Sequence, residues 1–338
     1  MSIILFILFV QQQVKSQTAL NKDNLASLCS CNPSQSKSIK LNKLNIVSVD
    51  SNTFNGLTSL QEIYLADNKI AKIDPKTFEG LNSLKRIDLQ TNQLTTIDPS
   101  TFSGLNSLQI IYMYSNKITS IHSSTFKGLN SLQILSIILN QISNIDPTTF
   151  NGLTSLRELW LNENQITSVD STTFKGLISL QKLDLSGNKI TTIDPNLVKG
   201  LTALTNLHLA RNQIGAINPV TFSELSSLRE LKLHSNQISA IATGTLNGLS
   251  LLTTLLLHNN QINKIDQNSF KGLNSLTTLS LENNNIVSFD KNSLVGLTNL
   301  QSVCLWKNPV SSSFPDSLTS ICNGNSNCRI RFDECRLS

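Results

Sequence analysis

From Leu57 to Gly296, apolar residues return at fixed places in a 24-residue frame, ten times over and without an insertion. The first copy reads LTSLQEIYLADNKIAKIDPKTFEG, and the shared pattern is L-x-x-L-x-x-(I/L)-x-L-x-x-N-x-(I/L)-x-x-I-D-x-x-x-F-x-G. A strict period of this length predicts a solenoid, in which each turn buries its apolar side against the next. Frame positions 7 and 9, Ile63 and Leu65 in the first copy, alternate with polar or variable neighbours, which predicts a short strand with one buried face. Every turn of the coil runs the same way, so these strands must be parallel.

The remaining fixed positions have physical jobs. Asparagine recurs at position 12, from Asn68 to Asn308. Its carboxamide both donates and accepts, as required where the chain leaves a strand and its backbone groups lose their ladder partners. Pairs such as Asp74-Pro75, Asp98-Pro99, Asp146-Pro147 and Asp194-Pro195 read as a cap followed by a first helical residue, starting a short helical or irregular segment on the outer side. Phenylalanine at position 22 fills the outer core, and glycine at position 24 permits a tight return to the next strand. Val198 and Leu246 replace that phenylalanine and Glu224 that glycine, which reads as local loosening or as drift.

With these residues in register, the repeat resembles that of the typical 24-residue subclass of extracellular leucine-rich repeat proteins, the group of Slit proteins, Toll-like receptor ectodomains and variable lymphocyte receptors. The resemblance runs from about Ser38 to Pro309. It implies an α/β fold, a leucine-rich repeat solenoid in the form of a right-handed horseshoe, with a parallel concave β-sheet and short helical or irregular convex segments. It also implies recognition of protein or glycan on the concave face.

The ends frame the array. Residues 1–16 read as a signal peptide, with an apolar run from Ile3 to Val10, the small Ser16 and cleavage near Gln17. That run is far shorter than the ~20 residues that cross a bilayer, so a secreted, extracellular protein without a membrane span is expected. Residues 17–56 are an N-terminal cap with a degenerate first repeat, in which Ile39, Leu41, Ile46, Val49 and Phe54 fit the frame and Leu44 replaces the asparagine. Residues 57–296 hold the ten repeats, and 297–338 a terminal repeat and a cysteine-containing cap. The six cysteines, Cys29, Cys31, Cys304, Cys322, Cys328 and Cys335, lie only at the ends, and resemble the disulfide caps of the family. Stacked strands separate the two caps by on the order of 50 Å, so bonds are expected only within a cap. Cys29 and Cys31 are left to bond each other, stay free or link two chains. Paired Cys-x-x-Cys knuckles are absent, and no metal or cofactor is expected.

A net charge of +5 spread along 338 residues offers no concentrated basic face, which argues against nucleic acid. No Asn-x-Ser/Thr sequon occurs. Positions 6, 8, 10 and 11 flank the buried pair and project from the sheet. All three tyrosines and both tryptophans fall at positions 8 and 10. Tyr64, Ile110, Tyr112, Tyr114, Ile134, Ile138, Leu139 and Trp160 are the candidate ligand-binding residues, because aromatic side chains are enriched at the energetic centres of interfaces. Glu62 and Arg86 read as rim charges. Asp184 and His208 would adjoin, the beginning of a general-base pair, with Ser186 diagonal to them. An open sheet supplies no oxyanion hole, however, so no catalytic residue is assigned and an enzyme is not expected. His234 and His258, adjacent at position 10, read as a solvated pair rather than a shared metal site or an acid sensor. The expected function is a secreted, non-enzymatic module that binds a protein ligand on its concave face. The alternatives are glycan or microbial-surface binding, or self-assembly as a matrix component or homodimer.

Overall fold

The computed structural model describes residues 17–312 and 329–331, so the expected signal segment and Cys322, Cys328 and Cys335 lie outside the described residues. The chain forms two compact units, one up to Gln141 and one from Ile142.

The first unit contains β1 (Thr18–Leu20), α1 (Lys22–Cys29), β2 (Ser38–Lys40) and β3 (Ile46–Val49). One three-residue strand per turn follows, β4 (Glu62–Tyr64), β5 (Arg86–Asp88), β6 (Ile110–Tyr112) and β7 (Ile134–Ser136). Strands β2-β4-β5-β6-β7 lie side by side, all parallel and in frame, with Ile39 opposite Ile63 and Ile63 opposite Ile87. The helix α1 has no counterpart in the repeat frame. Asn21 caps it, accepting from the Asp23 and Asn24 amides while the Asn24 side chain accepts from the Asn21 amide. Pairing of β1 with β3 and the burial of Leu20 and Leu25 bring this segment into the core.

The second unit repeats the scheme with β8 (Glu158–Trp160), β9 (Lys182–Asp184), β10 (Asn206–His208), β11 (Glu230–Lys232), β12 (Thr254–Leu256), β13 (Lys264–Ile265), β14 (Thr278–Ser280), β15 (Ser288–Phe289), β16 (Ser302–Cys304) and β17 (Arg329–Arg331). Its sheet runs β8-β9-β10-β11-β12-β14-β16-β17, again parallel, while β13 pairs with β15 alone. Both units are therefore parallel leucine-rich repeat solenoids with little helix.

Each turn is tied to the one before it. Asn92 Nδ2 donates to the Leu65, Leu89 and Gln90 carbonyls at 2.9, 3.1 and 3.1 Å, and its Oδ1 accepts from the Ile70 amide at 3.0 Å. The chain reaches this asparagine through a left-handed residue at position 11, where φ lies between 51° and 65° from Asp67 to Lys307. Only one of these eleven residues is glycine, Gly187, although left-handed backbone strains other L-residues.

On the outer side the aspartates do cap, and helices do not follow. Asp74 Oδ1 accepts from the Lys76 amide at 2.9 Å and Asp194 Oδ1 from the Asn196 amide at 2.8 Å. Successive tight turns continue from there, such as Thr77 N to Asp74 O at 3.0 Å and Leu81 N to Phe78 O at 3.3 Å. The stretch between cap and glycine is too short to repay helix nucleation; 3₁₀ turns form at Lys291–Leu294 and, in the terminal turn, at Pro309–Ser312. Inside these turns, the Phe54, Phe78, Phe102 and Phe126 rings stack with centroids 6.2 to 6.5 Å apart. Val198 and Leu246 are each 2% exposed, as buried as the phenylalanines they replace, and the Glu224 carboxylate accepts from the Gly200 amide at 3.0 Å. Packing is thus retained at all three departures.

Candidate functional site

In the first unit, the open face of the sheet carries Tyr64, Ile110, Tyr112, Tyr114, Ile134 and Ile138, all half-exposed, and Leu139, which is 51% exposed. Register sets Ile110 beside Ile134, and the Tyr112 and Tyr114 rings meet edge to face at 6.2 Å. Tyr64 joins them through Arg86. The guanidinium lies 4.8 Å from the centroid of Tyr64 and 4.8 Å from that of Tyr112, so one cation is held between two rings. Its Nη2 stands 3.3 Å from Asp88 Oδ2. Burial pushes the Asp88 carboxyl up, against hydrogen bonds from Gln90 and Arg86 that favour its ionised form. Arg86 is therefore not a rim charge: it lies between the rings of Tyr64 and Tyr112, an arrangement built by positions 8, 6 and 8 of three consecutive turns. Tyr64 is fixed further by its hydroxyl, which donates to Glu62 Oε2 at 3.2 Å.

Position 8 is not uniformly open, because its short side chains sink between larger neighbours. Asp88, Ser136, Asp184, Ser280 and Cys304 are all buried. Trp160 belongs to the second unit, where its Nε1 donates to Glu158 Oε2 at 3.1 Å and Lys182 Nζ lies 5.9 Å from the ring centroid.

Leu139 occupies the left-handed position with φ 54°, a conformation that Asn259 and Asn283 adopt at the same place in later turns. Asparagine tolerates it better than leucine. Leu139→Asn is accordingly expected to raise the unfolding free energy, by about 1 kcal/mol, as read from the shift of the denaturant midpoint.

In the second unit Asp184 and His208 do meet, Oδ2 to Nδ1 at 3.2 Å. Glu230 Oε2 takes the other ring nitrogen at 3.1 Å, and Glu230 is shared with Asn206 and with Lys232 at 3.0 Å. Burial raises both carboxyls, but these hydrogen bonds outweigh it, holding Asp184 below its ordinary value and Glu230 down to about 2. Both imidazole nitrogens are thus committed to carboxylates, and Ser186 offers Asp184 its backbone amide at 2.8 Å. The arrangement is a closed polar network. The two histidines expected to be solvated are instead half-buried and stacked, with centroids 4.3 Å apart.

At the ends, the Cys29 and Cys31 sulfurs are within bonding distance, with Cα atoms 5.2 Å apart, and Cys304 is buried. Among the described residues no helix is long and apolar enough to cross a membrane.

The leucine-rich repeat family model matches the chain six times, at residues 35–94, 59–118, 112–166, 154–214, 202–262 and 250–310. Comparison with curated proteins finds no match. Among solved structures, the chain is similar to one titled as the glycosylated Toll–Spatzle complex from Drosophila, at 23% identity and TM-score 0.78, covering 86% of this chain and 40% of that one. A TLR13–ssRNA13 complex is similar at 23% identity and TM-score 0.69, covering 95% and 53%. An internalin of Listeria monocytogenes is similar at 22% identity and TM-score 0.64, covering 98% and 94%. The chain spans about half the length, or less, of the Toll and TLR13 chains. At these identities the likeness is one of fold. The matches of the family model run from residue 35 to residue 310 and carry the frame seen in the strands, and the chain belongs to the leucine-rich repeat family.

Proposed function

We propose that this protein is a secreted, non-enzymatic recognition module whose first unit binds a protein ligand on the open face of its sheet. The observation that carries this is the cluster of Tyr64, Ile110, Tyr112, Tyr114, Ile134, Ile138 and Leu139, apolar side chains on a face that adds nothing to the core. A contiguous apolar patch of this kind marks an interaction site. Leu139 adds to the patch as a large apolar side chain that is 51% exposed. Trp160 is assigned as a separate anchor in the second unit.

Four cations of these faces are matched by carboxylates, Arg86 by Asp88, Lys182 by Glu158, Arg211 by Glu163 and Lys232 by Glu230, while Lys40 on β2 is exposed. That favours an apolar protein surface over nucleic acid, even though a similar fold occurs in a complex with ssRNA. Arg86 also covers one ring face of Tyr64 and of Tyr112, removing platforms on which a sugar would stack. Partners named in other similar structures are proteins, Spatzle with Toll, and Latrophilin 3 and Unc5D in the complex containing FLRT2.

The test is affinity for a partner recovered from extracellular fluid with the intact protein. Tyr112→Ala and Arg86→Ala are each expected to weaken binding by about thirtyfold, roughly 2 kcal/mol. Lys127→Ala, on the outer side, should bind normally. Normal binding by the first two with loss in Lys127→Ala would overturn the placement of the site on the open face.

A further inference from the structure

The second unit holds a feature that ligand binding in the first does not use. His234 and His258 stack with ring planes 7° apart and centroids 4.3 Å apart. Each is held from outside the stack by a hydroxyl, Ser235 Oγ at 3.3 Å from His234 Nδ1 and Ser280 Oγ at 2.8 Å from His258 Nδ1. Hydroxyls serve a neutral imidazole on either tautomer, so nothing in these contacts calls for charge.

The surroundings oppose charge. From the preceding turn His208 and Arg211 act on His234, from its own turn Lys232, and from the next turn His258; each is cationic or becomes so on protonation. The carboxylates are engaged elsewhere: Asp184 holds His208, Glu163 holds Arg211, and Glu230 holds His208, Asn206 and Lys232. Glu282, one turn beyond His258, makes no bond to the stack; its buried Oε2 has no hydrogen-bond partner among the described residues.

We propose that the His234–His258 stack is an acid-operated latch, which packs the open face of the second unit while both rings are neutral and comes apart when they become charged. Two imidazoliums at this separation repel, and around His234 the neighbouring side chains are cations or histidines, Glu282 standing one turn beyond His258. Opening would loosen the turns that contain β11, β12 and β14 and alter the surface presented there.

Burial first, then the nearby cations, lowers His234 from the ordinary 6.5 to about 4, and burial lowers His258 as well. Because the folded value lies below the unfolded one, the unfolded chain binds more protons in between. Stability is therefore complete above pH 6.5 and falls as pH drops toward about 4. The latch acts as pH falls from 6.5 toward about 4, whichever turns hold a ligand.

The experiment combines thermal unfolding of the full chain at pH 7.5, 5.5 and 4.5 with an NMR titration of the histidine ring protons. Wild type is expected to lose several degrees of Tm between the first and last pH. His258→Phe, which keeps a ring in the stack but cannot be charged, and His234→Gln, which removes one charge without a bulkier ring, should each lose markedly less. Two ring resonances should titrate with weaker proton affinity than a free histidine peptide, that of His234 by at least tenfold. Ordinary titration of all four histidines, or an equal acid loss of Tm in wild type and in whichever variant folds, would overturn the latch.

Discussion

Asn116→Asp is expected to cost about 3 kcal/mol or more of unfolding free energy, although the two side chains have nearly the same shape. Asn116 Oδ1 accepts from the Leu94 amide at 3.0 Å, while Nδ2 donates to the Leu89, Met113 and Tyr114 carbonyls at 3.0, 3.0 and 3.3 Å. Aspartate keeps the first bond and loses the other three. It also turns a carboxylate oxygen toward three carbonyl oxygens inside a buried site, where an unpaired charge is severely penalised. Asn130→Asp, at an exposed position of the same unit, should change stability by less than about 0.5 kcal/mol. Urea titration of both variants checks the pair. Equal, small shifts would mean that the asparagine column is decorative.

Phe78→Ala should cost about 3 to 5 kcal/mol, the range for large-to-small changes in a packed core. The ring is fully buried and stacks on Phe54 at 6.2 Å and on Phe102 at 6.5 Å, so removing it opens a gap that both neighbours border. Collapse is restricted, because each ring is pinned to its own turn. Phe78→Leu should cost much less, roughly 1 to 2 kcal/mol, since Leu246 fills the same frame position in the second unit at 2% exposure. Guanidinium unfolding measured for both variants, with the slope compared to wild type, checks this ordering. A leucine variant as damaged as the alanine one would show that ring stacking, not volume, holds the outer core.

The strands, the asparagine column and the phenylalanine stack were legible in the sequence because the same chemistry returns at the same frame position. Position 11 was not. Its occupants include Asp67, Thr91, Leu139, Glu163, Arg211 and Lys307, which share nothing chemically because their side chains leave the core. The shared property is a backbone angle, imposed by the asparagine that follows. Threonine at position 21 could have been found. Thr77, Thr101, Thr125, Thr149 and Thr173 are buried in frame, and Leu197 in that place marks the position as core. The capping residues of α1 occur once, so no periodicity announces them. At the candidate site, the column of aromatics was readable, but the place of Arg86 was not. Its frame position also holds glutamate, isoleucine and lysine, and only the cross-strand geometry puts its guanidinium between Tyr64 and Tyr112.

The asparagine column also has a direction. Asn68 and Asn92 in the first unit, and Asn188 and Asn212 in the second, reach back to amides and carbonyls of the preceding turn, never forward to the following one. A chain leaving the ribosome from its N-terminus therefore completes each turn against partners already synthesised. Leu44 sits where the first asparagine would be, in the turn of the edge strand β2, which has no earlier turn for a carboxamide to grip. Shortening the protein from its C-terminal side removes asparagines together with the bonds they make. Shortening it from the N-terminal side leaves the next asparagine without its partners in the preceding turn, so deletions of equal length from the two sides should differ in how much fold survives.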